Sequence, residues 1–229
     1  MPTIDESQAF GYAVNTAWTA DYQGSGVSGL VCTDKTDSSK VLFFPACGNC
    51  ENGSVENVGD YGYYLSSSLL INNRQYACTF YFYSSSFYAG WDSGKYRFYG
   101  CTVRPVLDGT NANGHEYVEI GGLKWATMNV GATGITDYGL YFQWGDTQGY
   151  TASQVGSGTG QKYFGWADYK YGNGTSSPGT KGMTKYNSTD GLTTLELPNE
   201  YLHKVSVTGN YNDLSNKPTI PTVYNWAQA

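Results

Sequence analysis

Residues 117–132 read Tyr117-Val-Glu-Ile-Gly-Gly-Leu-Lys-Trp-Ala-Thr-Met-Asn-Val-Gly-Ala132. Tyr117–Ile120 and Leu123–Met128 are two short β-favouring runs, and Gly121-Gly122 between them is a turn signal. The stretch therefore predicts a β-hairpin. On its N-terminal side, residues 108–116 are a polar turn of Asp, Asn and Gly. Before that, Phe98 to Arg104 predicts a strand stopped by Pro105. Further back, Thr79-Phe-Tyr-Phe-Tyr83 predicts another strand, within a region (61–106) whose aromatic residues Tyr76, Phe80 and Phe82 favour extended backbone.

The same reading extends to both ends. Val41-Leu-Phe-Phe-Pro45 predicts a short buried strand, and residues 48–54 a turn-rich loop. Residues 3–18 predict a helix: Thr3 caps, Glu6 completes a capping box, and Phe10, Ala13, Val14 and Ala17 recur at helical spacing. Beyond the hairpin, residues 145–191 are rich in Gly, Ser, Thr and Tyr. They predict surface loops pinned by Trp144, Phe164 and Trp166. From Leu197 onward, Pro198, Pro218 and Pro221 stand without a core face. An extended linker, or a segment that orders against neighbouring chains, is expected over 197–229.

Composition narrows the function. Only 14% of the 229 residues are charged, 16% are aromatic, and Gly (30) and Tyr (22) are abundant, a profile of short strands and turns. The net charge of −6 and the lack of any Lys/Arg block argue against nucleic acid as a partner. No apolar run is long enough for a membrane span, and Met1-Pro-Thr-Ile-Asp-Glu6 lacks the pattern of a secretory signal. The odd count of five cysteines argues against a complete disulfide framework. Cys47 and Cys50 form a C-x-x-C with no second pair, and His115 and His203 are distant in sequence, so neither zinc nor any other metal or cofactor is expected. Asp137, Asp146 and Asp168 lack the clustered spacing of a calcium site. Ser66-Ser67-Ser68 has no nucleophile elbow and no nearby histidine in sequence, so no catalytic residue is expected. Arg104, before Pro105 at a strand end, is expected to bond carbonyls or an acid rather than a ligand.

Five stretches carry a family resemblance. Residues 117–132 with Gly139-Leu-Tyr-Phe-Gln-Trp-Gly145 resemble the opening half of the Fibrobacter succinogenes major paralogous domain. Val41-Leu-Phe-Phe-Pro-Ala46, Gly62-Tyr-Tyr-Leu-Ser-Ser-Ser68 and Tyr99-Gly-Cys-Thr-Val-Arg-Pro-Val106 resemble its closing half. The resemblance implies an α+β, C-type-lectin-like fold, akin to the formylglycine-generating-enzyme superfold, with short antiparallel strands, one or two helices and long loops. The halves stand in rotated order: closing half 1–108, opening half 114–196, together one domain over 1–196. Such rotation is feasible where the first and last strands lie side by side, with residues 108–114 as the joining loop. Two half-domains from neighbouring repeats or chains are the other reading. Gly209-Asn-Tyr-Asn-Asp-Leu-Ser-Asn-Lys-Pro-Thr-Ile-Pro221 resembles a segment of phage tail-fibre proteins, which implies a homo-oligomer, by analogy a trimer.

Between Leu65 and Cys101 one set of residues follows the family scaffold. A second set departs from it: Leu65, Leu69, Leu70, Asn73, Arg74, Tyr76, Cys78, Tyr81, Tyr83, Tyr88, Trp91, Asp92, Lys95, Tyr96, Phe98 and Cys101. This set resembles the variable repeat of a diversity-generating retroelement target, in which mutated adenines turn asparagine codons into Tyr, Ser, Asp, Gly, Arg, Leu, Phe or Cys. Trp91 and Lys95 need other codons. By that resemblance these sixteen residues form the ligand-binding face, and Cys78 and Cys101 are products of diversification. If Phe80 and Phe82 point inward on a strand, Tyr81 and Tyr83 point outward. The expected function is non-enzymatic. The chain is read as a receptor-binding protein of a phage tail fibre or virion, recognising a bacterial surface glycan or protein and assembling with other fibre subunits. The alternatives are a bacterial cell-surface or secreted ligand-binding module and a structural virion decoration protein.

Overall fold

The computed structural model describes residues 1–84, 86–107, 116–175 and 182–195, apart from the side chains of 90–93. The chain divides into two units, Met1–Thr194 and Leu195–Ala229. The expected linker over 197–229 and the expected joining loop over 108–114 lie outside the described residues, as do His115 and His203.

Within the first unit one α-helix and eleven short strands are described. Helix α1 (Ile4–Ala13) begins at Thr3, whose Oγ1 accepts from the Glu6 N–H at 3.2 Å while Glu6 Oε2 accepts from the Thr3 N–H at 2.7 Å. This capping box is worth about 1 kcal/mol to the helix. The helix stops five residues earlier than its periodicity suggests. Val14-Asn-Thr-Ala-Trp-Thr19 is strand β1 (Val14–Thr19) instead. Its β-branched residues disfavour helix, and it finds a full antiparallel partner in β2 (Gly29–Asp34). β2 also pairs with β3 (Val41–Pro45), which runs to its proline as expected.

The predicted loop at 48–54 is a hairpin: β4 (Asn49–Glu51) and β5 (Ser54–Glu56) join through Asn52-Gly53, both at positive φ. That dipeptide satisfies a mirror-image two-residue turn. The largest sheet follows, with β6 (Tyr61–Leu69), β7 (Tyr76–Tyr83) and β8 (Ser86–Tyr96) in that spatial order, all antiparallel. The expected strand at Phe98–Arg104 does not form a ladder. Gly100 bridges Cys50, Cys101 bridges Phe142, and Thr102 bridges Tyr64. Each residue answers a different neighbour because the segment threads between three others. β9 (Val106–Leu107) then pairs with β11 (Leu123–Ala126), which also forms the predicted hairpin with β10 (Tyr117–Ile120). Gly121 and Gly122 take the positive φ that this turn needs.

These elements meet in an aromatic core. Phe10 of α1 lies 4.5 Å from the Trp125 ring centre and 5.6 Å from Phe44, and Phe44 packs edge-on against Tyr64 and Phe80. Each such ring, fully buried, contributes roughly 1.5–3 kcal/mol. A Cβ at Gly11 would run into the Phe87 ring, so that glycine sets how closely α1 lies on β8. Arg104, fully buried over the Phe44 ring, donates to Phe43 O (2.9 Å), Ala126 O (3.0 Å) and Asn129 Oδ1 (2.9 Å). It ties β3 to β11 through carbonyls, as its place in the sequence suggests. Trp144, Phe164 and Trp166 are buried and pin the described part of the long loop region.

The three serines at 66–68 form an irregularity in β6. Between the pairs Leu65↔Thr79 and Leu69↔Ala77, β6 advances four residues and β7 two. Ser66 Oγ donates to Cys78 O at 2.8 Å, and Ser68 Oγ accepts the Ile4 N–H at 3.1 Å. Ser67 N–H donates to Pro2 O, and Leu69 N–H to Thr193 O, both at 2.8 Å. Both ends of the first unit thus dock on neighbouring residues of β6. The small-sheet, one-helix architecture is of α+β or mostly-β type. Among the described residues no helix is long and apolar enough to cross a membrane.

Candidate binding site

The outer face of the β6–β7–β8 sheet carries the candidate site. On β7 the strand period sorts the side chains: Phe80 and Phe82 are buried in the core, Tyr81 is half-buried and Tyr83 is 37% exposed. Antiparallel register places Tyr61 opposite Tyr83 and Tyr63 opposite Tyr81 on one side, and Tyr88 opposite Tyr81 on the other. The result is a ladder of rings across three strands. Centroids are 5.1 Å apart for Tyr61–Tyr83, 5.7 Å for Tyr63–Tyr81 and 4.9 Å for Tyr81–Tyr88, and the Tyr83 and Tyr88 hydroxyls lie 3.2 Å apart. Tyr76 and Tyr96 stack at 4.2 Å along the same sheet.

These rings border a groove of about 580 Å³. Among the described residues its lining is seven tyrosines together with Thr79, Gly94 and Lys95. The Lys95 ammonium sits 4.0 Å from the centre of the Tyr63 ring and 5.2 Å from that of Tyr99. A second irregularity opens the floor: from Cys78↔Gly94 to Phe80↔Ala89, β7 advances two residues while β8 advances five. Thr79, between those pairs, loses its neighbour on β8 and faces the groove. Hydrogen bonding to Tyr96, with some burial, pushes the Tyr76 phenol up to about 12. Burial raises Tyr63 and Tyr99 well above the ordinary phenol value of 10. These phenols are therefore protonated at neutral pH and present both a donor and an acceptor.

Of the sixteen residues singled out by sequence, Tyr76, Tyr81, Tyr83, Lys95 and Tyr96 line the groove, and Tyr88 stands exposed on the same ladder. Leu65, Leu69, Cys78, Phe98 and Cys101 are buried, and this corrects their placement on a contact face. Phe98 packs with Trp166, Tyr169 and Met183, and Cys78 lies inside the sheet between its two irregularities. Leu70, Asn73 and Arg74 shape the turn between β6 and β7. There Asn73 N–H donates to Leu70 O, and the Arg74 guanidinium bonds Leu192 O, away from the groove lining. The side chains of Trp91 and Asp92 lie outside the described residues. Sequence reasoning missed Tyr61, Tyr63, Thr79 and Tyr99. Tyr61 and Tyr63 stand two apart, as Tyr81 and Tyr83 do, and that shared spacing was the available signal.

The remaining candidates are structurally employed. All five cysteines are free and buried, and burial pushes the Cys32, Cys47, Cys50 and Cys101 thiols up. The Cys47 sulfur lies 3.0 Å from Thr102 Oγ1. Asp137 accepts from the Thr133 N–H and hydroxyl, Asp146 from the Gln148 N–H, and Asp168 from the Gly165 N–H beside Lys162 at 3.1 Å. Among the described residues no group of three His, Cys, Asp or Glu side chains could hold a metal. No family model, curated protein or solved structure matches the chain.

Proposed function

We propose that this chain is a binding protein of a phage tail fibre or virion that recognises a bacterial surface receptor through the outer face of the β6–β7–β8 sheet. The observation that carries this reading is the tyrosine ladder bordering the groove. Tyr81, Tyr83 and Tyr88 sit on the solvent side of a sheet whose other side is already filled by phenylalanines. Tyrosine offers large, rigid contact area and a polar tip at low entropic cost, which suits recognition. The resemblance of the five sequence stretches to a C-type-lectin-like family, and of residues 65–101 to a diversified repeat, supports the same reading. So does the fibre-like wording of residues 209–221, which favours several copies per particle and hence avidity over single-site affinity.

The test is binding of the purified full chain to a panel of bacterial strains. The comparison is a variant carrying Tyr81→Ser, Tyr83→Ser, Tyr88→Ser and Tyr96→Ser, with folding checked by thermal melt. Strain-selective binding that the folded variant loses is the expected result. Binding that persists in the variant, or no strain bound by the native chain, refutes the assignment.

A further inference from the structure

The Thr79 side chain is 1% exposed, and its hydroxyl oxygen is buried without a hydrogen-bond partner, yet it lines the groove. Leaving a buried hydroxyl unpaired costs about 1–3 kcal/mol. A ligand atom reaching the floor would recover that cost. Glu51, which is not among the described lining residues, keeps one carboxylate oxygen buried and without a hydrogen-bond partner. Lys95 brings a cationic donor to the same lining.

We infer that the groove takes a saccharide, with one ring hydroxyl received by Thr79 at the floor and the ring faces packed on the tyrosines. The inference rests on the receptor-binding reading and names the chemical class of its ligand. The described lining offers donors, the Lys95 ammonium and the phenol O–H groups, and acceptors, the phenol and Thr79 oxygens. Sugar hydroxyls donate and accept at once and meet both. Among the described lining residues there is no leucine, isoleucine, valine or phenylalanine; the apolar surface is mostly tyrosine ring. A pyranose, apolar on its C–H faces and polar round its rim, matches that pattern. The volume of about 580 Å³ lies within the ordinary range for small-ligand sites.

The experiment probes an array of purified bacterial polysaccharides with the full chain and with Thr79→Val, which keeps the side-chain shape and removes the hydroxyl. Strains bound by the native chain are tested after mild periodate, which cleaves vicinal diols, and separately after protease. Expected are a discrete set of bound polysaccharides, cell binding lost to periodate but not to protease, and affinity about 3- to 10-fold weaker in Thr79→Val. The same variant should melt no lower than the native protein, because it removes an unpaired buried group. A merely structural threonine would not separate the two readouts. Cell binding that protease abolishes and periodate spares overturns the saccharide while leaving receptor binding intact. Polysaccharides held equally well by Thr79→Val overturn the groove floor as their site. An array and a cell panel both left unbound overturn this inference and the receptor reading together.

Discussion

The Arg97 guanidinium lies 4.8 Å from the centre of the Trp144 ring, while the Trp144 backbone N–H donates to the Arg97 carbonyl at 3.0 Å. One residue thus grips the other by both main chain and side chain. The contact joins the end of the large sheet to the loop region beyond it.

Replacing Arg97 should therefore loosen the loops rather than the sheet. Its guanidinium also donates to the Tyr169 hydroxyl (2.8 Å) and to the carbonyls of Tyr186 and Lys185 (3.1 Å each). Arg97→Met removes these donated bonds together with the cation over the Trp144 ring, for an expected loss of about 3 kcal/mol in urea unfolding. Arg97→Lys should not restore it, because an ammonium lacks the planar fork that reaches several acceptors at once. Full stability in either variant would refute this role.

Gly62 of β6 faces Phe82 of β7, and a Cβ there would enter the phenylalanine ring. Gly62→Ala should lower stability by about 1–3 kcal/mol, as overpacking does. A melt within error of the native one would show that Phe82 can step aside.

The five cysteines should all resist a thiol-specific reagent in the native protein and all react after denaturation. Each is buried, and burial disfavours the reactive thiolate; Cys101 is pushed up to about 12. Rapid labelling of even one native thiol would contradict this picture.

Alkaline pH should unfold the chain. Tyr76 is raised to about 12, and burial holds Tyr63, Tyr64, Tyr141 and Tyr169 above the ordinary value of 10. The unfolded chain releases these protons near pH 10 and the folded one does not. The raised groups therefore contribute stability that is complete below pH 10 and lost as pH climbs toward and past 12. Tyrosinate absorbance followed through a pH titration should show some phenols ionising near 10 and the buried ones only with loss of structure. A single smooth titration of all tyrosines at 10 would contradict it.

Much of this arrangement was legible in the sequence wherever one strong local signal acted alone. Gly121-Gly122 between two β-favouring runs gave the hairpin, Thr3 with Glu6 gave the helix start, and alternation at 80–83 separated core from face. What was not legible came from outside each segment. The helix stops at Ala13 because residues 29–34 offer 14–19 a strand partner. Reading residues 65–101 as one variable set carried no information on facing, and the irregularities near Ser66–Ser68 and beside Thr79 reset the period of two. Cys78 falls inward by the same period of two that buries Phe80 and Phe82, whereas Leu65, opposite Thr79, and Leu69 are buried by packing from other segments that the strand's own pattern does not record. The groove needed three strands in register, and Tyr61 and Tyr63 acquire meaning only opposite Tyr83 and Tyr81.

Pro2 and Thr193 each accept a hydrogen bond from β6, at Ser67 and Leu69. A chain bridged between these two points and reopened between Leu107 and Glu116 would keep every described strand pair, including those of β9 with β11. The order in which such a chain visits these segments would then be a matter of loop-closure entropy, which changes only slowly with loop length. Topologically such a chain would be a closed ring of segments, opened at another point with the sheet and its groove unchanged.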